Sequence, residues 1–163
     1  RPVVAKEYDS GHELGANNTA FGHASLGNNT TADDNVAVGY QALYANTTGG
    51  NLTAVGKGAL IANTTANDNT GIGLRALGAN TTGASNSALG RDSSLANTTG
   101  ASNTALGTFA LQSNTTASYN TAVGYQASLN ATTGADNTFV GGLSAGLGVV
   151  TGSHNVGLGA ETL

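Results

Sequence analysis

Few residues of this 163-residue chain could do acid–base or metal chemistry, and their placement argues against it. The three histidines, His12, His23 and His154, stand at unrelated places, and no carboxylate recurs beside them to orient an imidazole as a base. Asp33, Asp34, Asp68 and Asp136 fall in the same turn of different repeats and could offer oxygens to a cation. The G-G-x-G-x-D pattern of calcium-binding rolls is absent, however, so they read as solvated turn carboxylates. The glycines make no phosphate loop, which needs G-x-G-x-x-G between a strand and a helix. No catalytic residue, metal site or cofactor is expected, and the chain reads as non-enzymatic.

The element that must position everything else is a short repeat. Gly22, Gly39, Gly56, Gly73, Gly90, Gly107, Gly124 and Gly141 follow one another at steps of 17, and Gly159 follows after 18. A fixed period without insertions predicts a solenoid of stacked coils. Four residues before the glycine stands Asn (Asn18, Asn35, Asn69, Asn86, Asn103, Asn120, Asn137, Asn155; Leu52 is the exception), which suits a left-handed corner and an amide ladder. A β-branched or small residue follows, then Ala or Gly in every copy except Phe139. Next comes a large apolar residue: Phe21, Val38, Val55, Ile72, Leu89, Leu106, Val123, Val140 and Leu158. Such an unbroken position predicts an inward core stripe on a short strand, closed by the bend that glycine permits. On that reading Val123→Asp places a charge in a thin core and uncouples the stack.

A second inward stripe is expected at Leu43, Leu60, Leu77 and Leu111, slipping by one residue at Leu95 and Leu129. Each coil then has two short strands and two turns. The fold class is all-β, a left-handed-type parallel β-solenoid (β-roll) of about nine coils, about 43 Å long at ~4.8 Å per coil. Residues 1–16 lie outside the repeat, with a short strand at 2–8 and a turn at 9–12. They serve as a cap or linker, or as a strand that pairs with another subunit. Residues 17–152 are the solenoid and 153–163 an atypical last coil or cap. Arg1 is not an initiator residue and the chain stops within a unit, so a leader or upstream domain, and further chain, are expected beyond the two ends.

Two columns of the repeat could meet a partner. The places after the anchor glycine are bulky and variable, and Tyr40, Lys57, Arg75, Arg91, Phe109 and Tyr125 stand there as candidate surface contacts for a glycan, a receptor or another subunit. The Asn-Thr-Thr triplets read three ways: as a ladder satisfying turn backbone, as N-x-T glycosylation acceptors at Asn29, Asn46, Asn63, Asn80, Asn97 and Asn114, or as a threonine face that orders ice. Further acceptors occur at Asn17, Asn28, Asn51 and Asn130.

Composition narrows the function classes. A net charge of −4 excludes the clustered cations that nucleic acid needs, and no apolar run approaches the ~20 residues of a membrane span. Zero cysteines excludes a disulfide framework. Disorder would have no reason to keep a register in which 39% hydrophobic residues return to fixed places.

The units beginning at Asn35 (NVAVGYQALYANTTGG) and Asn120 (NTAVGYQASLNATTGA) resemble the N-T-A-V-G-Y-Q-A-L repeats of phage tail fibres. More distantly, they resemble the β-roll heads of YadA-type trimeric autotransporter adhesins. The resemblance runs from Asn18 to about Gly159. It implies a homotrimer of parallel β-rolls, extracellular, on a cell surface or on a virion, serving attachment. The adhesin-head unit is shorter, so its trimer geometry does not carry over, and no receptor-contacting residue transfers. The expectation is a structural fibre rod whose main partner is itself, as a homotrimer or a helical polymer. The alternatives are a self-assembling, N-glycosylated extracellular filament and an ice-binding solenoid.

Overall fold

Every coil contributes one strand to a single continuous sheet. The computed structural model describes residues 5–8, 15–143 and 151–162. Strand β1 (Ala5–Tyr8) lies antiparallel on β2 (Asn18–Phe21). Then follow β3 (Val36–Val38), β4 (Thr53–Val55), β5 (Thr70–Ile72), β6 (Ser87–Leu89), β7 (Thr104–Leu106), β8 (Thr121–Val123), β9 (Thr138–Val140) and β10 (Val156–Leu158). From β2 to β10 the strands are parallel and neighbours in chain order, in about eight turns of a β-solenoid. Register is one repeat: Thr53 faces Thr70 and Val55 faces Ile72. The expected strand in residues 2–8 is present as β1; the expected turn at 9–12 lies outside the described residues.

The expected core stripe points the wrong way. In each of β3 to β10 the buried residue is the middle one, Ala37, Ala54, Ala105 and Ala122 among them, and in β2 it is Ala20 with Asn18, whereas the large apolar residue faces out. Phe21, Leu89, Leu106, Val140 and Leu158 are exposed, Leu89 by 51%; Val38, Val55, Ile72 and Val123 are half-buried. Strand side chains alternate, so Thr-Ala-Val can present either the outer pair or the centre to the interior. The interior is too narrow for a second large column. A Cβ on Gly71 would lie 3.3 Å from Leu60 Cγ, so strand and leucine column already touch. The one large interior residue of the strands, Phe139, pairs in register with Gly157, where a Cβ would meet its ring.

The leucine column is buried as expected, but no second strand carries it. Leu43, Leu60, Leu77 and Leu111 sit in turns at φ 49–53°. That left-handed backbone costs roughly 1–2 kcal/mol per residue, which burying a leucine, worth about 1.5–3 kcal/mol, offsets. Where the column slips, Ser94 and Ser128 take the buried seat and Leu95 and Leu129 are half-buried beside it.

Two asparagine ladders fill the rest of the cross-section. In the first, each Asn Oδ1 accepts from the backbone N–H one coil on, as Asn86 Oδ1 does from Asn103 N–H at 2.9 Å. The left-handed corner lies one residue earlier, at Asn17, Asp34 and their counterparts. In the second, each amide Nδ2 donates to the Oδ1 of the preceding coil, Asn80 to Asn63 at 3.1 Å and Asn97 to Asn80 at 2.8 Å. The ladders meet on one carbonyl per coil: Gly83 O accepts from both Asn69 and Asn80. Buried amides are thus matched to backbone that the thin apolar core could not satisfy.

Candidate functional surfaces

The second ladder answers the glycosylation reading. Asn46, Asn63, Asn80, Asn97 and Asn114 are fully buried and Asn29 nearly so, and each Nδ2 donates within the coil. A glycan at any of these six would have to replace that donor in a closed interior. The asparagines of the remaining sequons, Asn17, Asn28, Asn51 and Asn130, are exposed.

The bulky column after the anchor glycine runs along the outside, and its members mostly touch one another. His23 stacks on Tyr40 (centroids 5.6 Å apart), Lys57 Nζ lies 5.8 Å from the same ring, and Arg91 stands 4.5 Å above Phe109, whose edge meets Tyr125. Arg75 forks onto Asp92, at 2.8 and 3.1 Å. Tyr40, Lys57, Arg75, Arg91 and Tyr125 are exposed and Phe109 is half-buried. Contacts at the coil spacing thus give an outer seam of three clusters, His23–Tyr40–Lys57, Arg75–Asp92 and Arg91–Phe109–Tyr125.

Among the described residues, acid–base groups are not brought together into a centre. Asp34 accepts from Asn17 Nδ2 at 2.9 Å and Asp68 from Asn51 Nδ2 at 3.1 Å, both across coils. His154 Nδ1 stands 3.9 Å from Asp136 Oδ2, an exposed pair at equivalent corners of adjacent coils. Among the described residues no group of three or more His, Asp or Glu could hold a metal ion, and no helix is long and apolar enough to cross a membrane.

Two surfaces that sequence reasoning placed wrongly or left undecided stand out. One is the flat outer face of the sheet, where the apolar column from Phe21 to Leu158 runs beside a column made mostly of threonine. The other is the second threonine of every triplet, at Thr31, Thr48, Thr65, Thr82, Thr99, Thr116 and Thr133, exposed in all seven coils. The alternation of small and large residues inside three-residue strands was the signal for the first. Comparison with protein-family models, curated proteins and solved structures gave no match.

Proposed function

We propose that this chain is a non-enzymatic structural protein, the rod of an extracellular or virion fibre used for surface attachment, and that it associates with copies of itself. The apolar column on the outer sheet face carries this reading. Nine side chains, one from each of β2 to β10, leave an unbroken apolar strip along the stack where a lone soluble rod would carry polar groups. Bringing strips together about a three-fold axis removes them from water and closes the assembly. The seam from His23 to Tyr125 begins just beyond the bend at the anchor glycine and can remain outside, where its rings and cations suit contact with a glycan or receptor. The resemblance to tail-fibre and adhesin repeats supports the same assignment.

Light scattering with native mass spectrometry tests it. A discrete species near three times 15.9 kDa is expected, and Leu89→Lys with Leu106→Lys, both outward-facing, is expected to return monomers without unfolding them. A wild-type protein that stays monomeric at every accessible concentration refutes the proposal.

A further inference from the structure

The outer threonine column has no internal reason to be threonine. The first threonine of each triplet does: Thr30, Thr47, Thr64, Thr81, Thr98 and Thr115 donate their hydroxyls to carbonyls one coil on, at 2.9–3.3 Å. Among the described residues no intramolecular bond engages the outer hydroxyls. The sequon gives no reason either, because its asparagine is buried and bonded. Other exposed places drift from coil to coil: the one after the anchor glycine passes through His23, Tyr40, Lys57, Leu74 and Arg91. This exposed place stays threonine through seven coils while the exposed place after the anchor glycine drifts, which points to a requirement outside the molecule.

The chemistry of the face narrows what that is. Beside the outer column lie the inner threonines, half-buried except for the exposed Thr30, and, on the other side, buried Gly or Ala such as Gly83 and Ala117, so nothing bulky rises next to it. These three columns hold no charge, aromatic ring or arginine. Protein partners are gripped by aromatic and arginine anchors, and sugars by ring faces, so neither finds a handle here. What remains is a regular array of hydroxyls and methyls at a bend of the coil, repeating at ~4.8 Å. The hydroxyls can join a hydrogen-bonded water lattice while the methyls hold neighbouring water in place without competing for its bonds.

We propose that this face binds ice, each outer threonine anchoring one row of lattice water. This does not rest on the fibre reading, because the two surfaces are different columns of the coil. The test is ice-recrystallisation inhibition and thermal hysteresis of the folded chain, beside Thr65→Tyr, Thr82→Tyr and Thr99→Tyr combined. Wild-type activity is expected, with its loss in the triple variant at unchanged melting temperature. The strip variant Leu89→Lys with Leu106→Lys is expected to keep the activity while losing self-association. A folded wild type that neither shapes nor restrains ice overturns the proposal, as does a folded triple variant of undiminished activity.

Discussion

Asn80→Ala isolates what the second ladder contributes. Asn80 is fully buried; its Nδ2 donates to Asn63 Oδ1 at 3.1 Å and Gly83 O at 2.9 Å, and its Oδ1 accepts from Asn97 Nδ2 at 2.8 Å. After truncation Asn97 keeps Gly100 O at 2.9 Å, and Gly83 O keeps Asn69 Nδ2 at 2.8 Å. Asn63 Oδ1 keeps nothing. One orphaned buried acceptor costs about 1–3 kcal/mol, and the bonds lost elsewhere with the small void add about 1 kcal/mol. The sum, about 2–4 kcal/mol, corresponds to a fall of about 4–16 °C in melting temperature for a chain of this size. Thermal unfolding followed by circular dichroism and calorimetry reads it directly. A change below about 0.5 kcal/mol, the scale of a neutral surface substitution, would show that the ladder is decoration and that the main-chain bonds alone hold the coils.

The chain already contains the reverse experiment. Ala131 interrupts the ladder and leaves Asn114 Oδ1 buried without a partner, so Ala131→Asn is expected to raise stability by about 1 kcal/mol in urea unfolding. Val123→Asp is expected to cost within about 1 kcal/mol in the monomer, since Val123 faces out, whereas Ala122→Asp places a charge at a fully buried seat and is expected to cost about 4 kcal/mol or more. The opposite order in a thermal melt would return the large apolar column to the interior. Gly90→Ala is expected to lose about 3 kcal/mol or more, because φ is +135° and the new Cβ would lie 2.6 Å from the carbonyl of Gly107. An unchanged midpoint of unfolding would refute the stacking of the anchor glycines.

The solenoid was legible because period is a property of sequence: constant steps between glycines leave one way to stack. Which residue of Thr-Ala-Val turns inward was not legible, because alternation fixes only that Thr and Val share a side. The deciding fact is the width of the coil, set by Leu60 and its counterparts approaching the strand from the opposite wall. The recurring asparagines were readable as ladders, yet the second ladder's burial was hidden by its coincidence with the sequon. Ser94 and Ser128 fill leucine seats that the sequence presents only as a slip in spacing. The threonine column could be counted in advance; that its hydroxyls have no work inside the protein needed coordinates.

The sheet order is the chain order, and coil-to-coil bonds join residues 14 to 19 apart. No contact therefore waits for a distant part of the chain, and loop-closure entropy is the same small amount at every step. A coil becomes able to form as soon as its own residues follow the previous coil. At about 5–20 residues per second of synthesis that is roughly one coil every one to three seconds. The stack can therefore grow vectorially, the finished coils templating the next layer while the remainder is still being made. Such a molecule can lengthen by duplication of a unit without rewriting its folding pathway.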